Sequence, residues 1–249
     1  MRCVVVLPTY QEAENIVRMV RAVRSAAPEA DILVVDDNSP DGTGKLTEEV
    51  GVELGRVSVL HRQAKEGLGA AYRHGFSVVL AGGYEAVVSM DVDFSHDPAE
   101  IPAMLALVAG GADAVIGSRY VPGGGTRNWP MHRRLLSHWG NRYTSGVLRL
   151  GIHDCTSGFR VYRSSALVAI DATSTSADGY AFLSELVRRL VRGGFRVVEH
   201  PIVFVDRELG TSKMSGPIIR ESMMLVTRWG LRDARRAVAR RLPGRRRAN

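Results

Sequence analysis

Five short runs rich in β-branched residues, at 3–7, 32–36, 57–61, 85–90 and 113–118, alternate with segments of helical length near 12–27, 43–54, 67–81 and 98–109. This alternation predicts parallel strands joined by crossover helices, because parallel neighbours need a connection of a dozen or more residues. The second half is less regular. It offers a helix near 133–149, the run "FRVYRSSALVAI" at 159–170, a helix near 179–193 and a strand over 195–205. A chain of 249 residues with 45% hydrophobic content is long enough for one large core. The expectation is therefore one α/β domain over 1–216, with 217–249 as a C-terminal appendage.

In open α/β sheets, ligands bind at the carboxyl ends of the strands. Four of the five runs end in polar clusters: "PTYQEAEN" after the first, "DDNSPDGT" after the second, "MDVD" after the fourth and "GSRY" after the fifth. Each cluster alone is explained by an ordinary loop with a helix cap, such as Asp41 with Thr43, or Asp97 with Glu100. Four on one sheet edge point to a binding site instead.

The sharpest of these clusters is "MDVDFSHDP", with Asp91 and Asp93 one residue apart at a strand end. Two carboxylates so close in a partly buried crevice need a cation to stay ionised. Oxygen ligands without a neighbouring thiolate favour Mg²⁺ or Mn²⁺ over zinc, and Mg²⁺ sites combine one or two carboxylates with substrate phosphates. The ligand implied is a diphosphate. His96 lies among these oxygens and is expected to be a hydrogen-bonding loop residue rather than a metal ligand. Cys3 and Cys155 are isolated in sequence and define neither a disulfide framework nor a zinc site, in keeping with a reducing cytosolic setting.

Charge is distributed unevenly. The formal net charge is +7, yet the nine arginines from Arg228 onward, set against Asp233 alone, contribute +8, leaving residues 1–227 at about −1. A near-neutral folded region argues against nucleic-acid binding, which calls for basic residues interleaved with aromatics. A receiver-like domain using "VVDDN" would need an aspartate at the end of the third strand, where the chain reads "VSVLHR".

In order along the chain, "VLPTYQEAENI", "VVDDNSPDGT", "GLGAAYRHG", "MDVDFSHDP", "GSRY", "DCTSGFRVY", "GYAFLSEL" and "FVDRELGTSKMS" closely resemble the dolichol- or polyprenol-phosphate mannose synthases, family 2 glycosyltransferases with a GT-A fold. The likeness runs from about residue 4 to residue 216. "FVDRELGTSK" following "DCTSGFR" is the narrowest signal, and it points to a lipid-phosphate acceptor. The resemblance implies a mostly parallel GT-A sheet flanked by helices. It also implies transfer of mannose from GDP-mannose to a polyprenyl or dolichyl monophosphate. The rival within the same fold is a polyprenyl-phosphate glucosyltransferase or another nucleotide-sugar enzyme.

By the same resemblance, Pro8, Tyr10, Glu12, Asp36 and Asp37 match positions around the donor nucleoside. Asp91 and Asp93 match the pair at the donor diphosphate, with Asp93 as the direct metal ligand. Ser95 stands where some members place a metal-coordinating side chain, so a hydroxyl or water would replace it. Arg119, Arg133, Ser137, Arg207 and Lys213 match the contacts to the acceptor phosphate, and Asp91, Asp93 and Arg119 are the expected catalytic residues. A lipid monophosphate is already anionic near pH 7 and needs no general base. What it requires is charge neutralisation and in-line placement, and direct displacement would invert the anomeric centre. Asp154, Ser157 and Arg160 either shape the acceptor pocket or hold a tight turn, and Glu185 either orients an arginine or is solvated.

The segment 217–241 places Ile218, Met223, Val226, Trp229 and Ala234 along one flank of a possible helix, with arginines gathered beyond Arg228. One expectation is a basic amphipathic helix lying in an anionic membrane interface, with Trp229 at the headgroup boundary. The other is a helix packed on the catalytic domain. No run is long and apolar enough for a signal core or a membrane span. The expected location is thus peripheral, on the cytoplasmic face of a membrane, held by the surface itself or by a membrane-protein partner.

Overall fold

The computed structural model describes residues 1–177, 179–206 and 216–241. Arg207 and Lys213, expected at the acceptor phosphate, lie outside the described residues. The first half alternates as expected: β1 (Cys3–Thr9), α1 (Ala13–Ala26), β2 (Asp31–Asp36), α2 (Thr43–Leu54), β3 (Val57–His61), α3 (Leu68–Ala81), β4 (Ala86–Ser89), α4 (Ile101–Ala109) and β5 (Ala114–Ser118). The second half comprises β6 (Gly125–Arg127), α5 (Met131–Leu148), β7 (Arg160–Arg163), α6 (Ser164–Ala169), α7 (Gly179–Arg192), β8 (Val197–Pro201), β9 (Val203–Val205) and α8 (Gly216–Arg241).

Seven strands form one sheet in the order β3-β2-β1-β4-β7-β5-β8. All pairings are parallel except those of β7, which enters antiparallel between β4 and β5. The strand expected over 195–205 is divided: β8 joins the main sheet, and β9 pairs with β6 in a separate two-stranded ribbon. This ribbon carries Phe204 to the crevice described below.

The buried runs of β1 and β2 serve both faces, as central parallel strands must. Val5 and Leu7 pack with Ile16, Met19 and Val23 of α1 and with Ile101 and Met104 of α4. Val4 and Val6 point the other way, towards Tyr72 and Phe76 of α3 and Phe182 of α7. There Tyr72 stacks on Phe182 at 5.7 Å and Phe76 meets Tyr162 edge-on at 5.9 Å. Asp97 accepts from the Ala99 N–H at 2.9 Å and caps the 3₁₀ turn leading into α4. Asp41 and Thr43 act more widely than a cap: Asp41 accepts from the Ala13 N–H and Thr43 from the Glu12 N–H, which ties the starts of α1 and α2 together.

The C-terminal helix packs on the domain. Val226 and Trp229 are buried in a third cluster with Leu148 of α5 and Val187 of α7, while Asp233 pairs with Arg188 and, at 2.5 Å, with Arg192. A Cβ on Gly230 would stand 2.5 Å from Val147 Cγ1, so only glycine permits this approach of α8 to α5. These contacts correct the expectation of Trp229 at a headgroup boundary: its ring is 8% exposed and faces the protein. Ala234, assigned to the same flank, is exposed, because a contact surface following the 3.6-residue period turns it away. No helix among the described residues is long and apolar enough to cross a membrane.

Candidate active site

Because β1, β4 and β5 run in one direction, their carboxyl ends share one sheet edge, and the residues that follow them converge. A crevice of about 310 Å³ there is lined by Pro8 and Glu12 after β1, Asp91 and Asp93 after β4, and Arg119 after β5. Arg133 from the first turn of α5, Trp129, Thr156, Gly158 and Phe204 complete its far wall. Of the thirteen expected site residues, six line this crevice: Pro8, Glu12, Asp91, Asp93, Arg119 and Arg133. Tyr10 meets Lys65, whose ammonium lies 4.1 Å from the ring centroid and which lines the opening.

The acidic wall suits a cation. Asp93 is 7% exposed and accepts from the Ser95 N–H at 3.1 Å, while Asp91 keeps 38% of its side chain accessible. Gly158 faces Asp91 so closely that a Cβ there would lie 3.2 Å from Oδ2. No group of three or more His, Cys, Asp or Glu side chains able to hold a metal exists among the described residues. Two hard carboxylates that leave other positions to phosphate and water match the donor set of Mg²⁺ or Mn²⁺. Ser95 is 1% exposed and its hydroxyl has no partner among the described residues.

On the opposite wall, Arg119 is clamped. Its Nε and Nη2 donate to Asp154 at 2.7 Å each, its backbone N–H donates to the same carboxylate at 3.1 Å, and Nη2 also reaches Thr156 Oγ1 at 2.8 Å. Burial alone would raise the carboxyl of Asp154, but the Arg119 charge and these hydrogen bonds hold it below its ordinary value. The guanidinium lies about 5.5 Å from the rings of Trp129 and Phe204. Arg133 bonds Asp206 at 2.9 and 3.0 Å and sits 4.3 Å over Trp129. Ser137 accepts from the Tyr120 hydroxyl at 2.7 Å. It lines a second cavity of about 120 Å³, an apolar groove between α5 and α8 walled by Leu136, Trp139, Met223 and Val226. Trp129, Arg133 and Thr156 line both spaces, so groove and crevice adjoin.

Other expectations fall differently. Asp36 is turned inward, accepting from Thr9, from the Ser39 hydroxyl at 2.5 Å and from the Ser39 N–H. Asp37 is 6% exposed and paired with Arg62; burial raises its carboxyl, and the arginine offsets this only in part. Neither lines the crevice. Arg160 is fully buried and donates to the carbonyls of Ser157, Cys155 and Leu183, so it holds the turn that presents Ser157 and Gly158. Glu185 is not solvated: it binds Arg189 and the N–H groups of Ser176 and Ala177. His96 departs from expectation most. Neither ring nitrogen has a hydrogen-bond partner among the described residues, because the ring is packed between Phe159 and Phe204. Burial pushes its pKa down to about 4, against the pull of Asp93, so the ring is neutral near pH 7. Trp129 and Lys65 were missed, since each stands singly in sequence without a periodic or motif signal, whereas Phe204 and Asp206 lie within "FVDRELGTSKMS", where only Arg207 and Lys213 were singled out.

The Asp154–Arg119 pair generates a direct expectation. Asp154→Asn leaves a buried guanidinium without its counter-charge, which costs roughly 3 kcal/mol of stability by the usual penalty for breaking a buried pair. A carboxyl with a depressed folded pKa stabilises fully above its unfolded value and loses that contribution as pH falls through the folded value. Urea unfolding from pH 7 down to pH 3 should therefore show the wild type converging on the variant as the pH drops.

Comparison with known proteins agrees with this geometry. A sequence profile described as "Glycosyl transferase family 2" matches residues 4–170. A polyprenol monophosphomannose synthase from Mycolicibacterium smegmatis is 50% identical over 243 residues, covering 96% of this chain and 92% of its own length. An undecaprenyl-phosphate mannosyltransferase from Micrococcus luteus is 48% identical over 231 residues, covering 93% and 95%. Among solved structures, glucosyl-3-phosphoglycerate synthase from Mycobacterium tuberculosis, in complex with Mn²⁺ and UDP-glucose, shares the fold at a TM-score of 0.65 and 18% identity, over 93% of this chain and 78% of that one. With a GT-A-like sheet, a carboxylate pair at the strand ends and relatives at half identity over nearly the whole length, the chain belongs to glycosyltransferase family 2 and is a glycosyltransferase.

Proposed function

We propose that this enzyme transfers mannose from GDP-mannose to the monophosphate of a polyprenol, inverting the anomeric carbon to give a β-linked polyprenyl-phosphate mannose. One observation carries the reading. The crevice sets the Asp91–Asp93 carboxylates against Arg119 and Arg133, and an apolar groove opens from the arginine side. That arrangement suits a diphosphate on one wall and a phosphate with a hydrocarbon tail on the other. The names of the two half-identical relatives favour the same sugar and acceptor class.

In this reading Pro8 and Glu12 border the donor nucleoside, with Tyr10, Asp36 and Asp37 shaping the loops behind it. Asp93, with Asp91, would hold a Mg²⁺ or Mn²⁺ ion, which supplies positive charge to the departing diphosphate. Ser95 contributes through its backbone N–H, which fixes the Asp93 carboxylate. Arg119, held in plane by Asp154, and Arg133, held by Asp206, bind the acceptor phosphate, and Arg207, Lys213 and Ser137 belong to the same set. A phosphate oxygen that is already ionised attacks the anomeric carbon directly, so no protein base takes a proton. The residues neutralise two anions and align them.

The test is a panel of GDP-mannose, GDP-glucose and UDP-glucose, each with a polyprenyl phosphate and Mg²⁺ or Mn²⁺. GDP-mannose should be turned over at least tenfold faster than the others, and excess EDTA or Asp93→Ala should abolish transfer. Preference for a glucosyl donor would replace mannose in this reading, and undiminished turnover in EDTA would remove the metal.

The acceptor class also fits the outer surface. α5 leaves Met131, Leu135, Leu136 and Trp139 exposed at 73%, 65%, 47% and 55%, beside the groove mouth. Arg134, Arg142, Arg228, Arg232 and Arg235 are exposed on the same two helices. Large apolar side chains among cations suit an anionic bilayer surface, where each basic group contributes about 1 kcal/mol. Attachment thus rests on α5 together with the 217–249 appendage, on the cytoplasmic face, with a membrane protein as a further possible partner. Co-sedimentation with anionic vesicles should fall several-fold for a Leu135→Asp, Trp139→Asp double variant in low salt. Unchanged sedimentation would return the anchor to the arginine-rich end alone.

A further inference from the structure

Among the described residues, His96 is the one buried titratable group on the crevice wall that the proposed mechanism leaves without a task. It is 1% exposed, and both ring nitrogens lack a hydrogen-bond partner among the described residues. Asp91 Oδ2 lies 4.0 Å from Nδ1, beyond hydrogen-bond reach. Packing fixes the ring: Phe204 meets it edge-on with centroids 5.2 Å apart, and Phe159 lies at 5.4 Å. A buried polar group left unsatisfied is destabilising, so its retention in an aromatic setting calls for a partner that arrives with the substrate.

A second orphan points to the same place. Ser157 is 2% exposed, lines the same crevice, and its hydroxyl also lacks a partner among the described residues. It directly precedes Gly158, whose missing Cβ would face Asp91 Oδ2, the same oxygen that His96 approaches. His96 and the 157–158 turn therefore both border the space over that oxygen. A neutral imidazole offers one donor and one acceptor, and a serine hydroxyl offers the same. Neither suits a phosphate as an arginine does, whereas both match a sugar hydroxyl, which itself donates and accepts.

We propose that His96, with Ser157 beside it, is a specificity-determining residue that hydrogen-bonds a hydroxyl of the hexose carried by the donor, between the acidic wall and Arg119. This rests on the sugar-nucleotide reading above, and the hexose must lie at that position if its anomeric carbon is to meet a phosphate held by Arg119. A site built to hydrogen-bond a hydroxyl discriminates strongly against a donor lacking it, since its own polar groups are then left unpaired.

The test uses the full-length enzyme with the donor that the wild type turns over in the panel above and with the corresponding sugar-free nucleoside diphosphate, both with Mn²⁺. His96→Phe preserves the packing against Phe159 and Phe204 and removes the hydrogen bonds; His96→Asn restores a donor and an acceptor. By calorimetry, His96→Phe should weaken the intact donor roughly tenfold, the worth of one or two neutral hydrogen bonds, while the sugar-free nucleotide binds as to the wild type. His96→Asn should regain part of the loss, and the melting temperature of His96→Phe should equal or exceed that of the wild type. Equal weakening of donor and sugar-free nucleotide would assign the ring to the diphosphate or cation instead. An unchanged donor affinity, or a clear fall in melting temperature, would show the histidine to be structural. Failure of the mannosyl reading appears separately, in the wild-type donor panel.

Discussion

The buried pair between Arg119 and Asp154 is the interaction on which the site depends. Taking both charges out of water costs several kcal/mol per ion, and the cost is met only when geometry is good and the remaining lone pairs are filled. Asp154 is fully buried and accepts from the side chain and backbone of Arg119 and from the backbone of Thr156 and Ser157. One carboxylate thus joins the end of β5 to the turn that carries Ser157 and Gly158. Arg160 braces that turn from beneath through three carbonyls. The antiparallel entry of β7 between β4 and β5 makes this possible, since it brings residues 154–158 against the strand ends that supply Asp91 and Arg119.

From this follows a division of labour across the crevice. The acidic wall is partly open at Asp91, as a shared cation site should be. The basic wall is crowded, because each arginine is already oriented by a carboxylate and an aromatic face. Pre-oriented guanidinium groups lose little further freedom on meeting a phosphate, which is how positioning contributes to rate. The apolar groove between α5 and α8 exists because α8 packs closely at Gly230 and is fastened by Asp233 to α7.

Much of this was legible in the sequence, and the reason is periodicity. β1 to β5 and their crossover helices follow from runs of β-branched residues separated by helix-length segments, and the polar clusters at their ends follow from sheet direction. What escaped lay in the second half. Nothing local distinguishes β7 as antiparallel, or tells that the run at 195–205 breaks at Ile202 into two sheets; both are settled by which neighbours are available. The pairing of Arg119 with Asp154 spans 35 residues and has no spacing signal. The turn of Trp229 towards the core was hidden for a related reason: an amphipathic helix shows which face is apolar, not whether that face meets lipid or protein. His96 was misread because a polar residue in a loop normally finds a partner nearby, and this one is enclosed by aromatic rings.

The central claim is that donor and acceptor anions are held by different walls of one crevice. Arg133 tests it most directly, since it is only partly buried and its removal disturbs the core less than loss of Arg119 would. Calorimetric titration of Arg133→Gln with GDP and Mn²⁺, and separately with a short-chain polyprenyl phosphate, reads the two walls independently. A charge-assisted contact is worth about 1.5–3 kcal/mol, so the lipid phosphate should bind at least tenfold more weakly while GDP affinity stays within twofold of the wild type. Loss of GDP affinity equal to the loss for the lipid phosphate would place Arg133 on the donor and contradict the division.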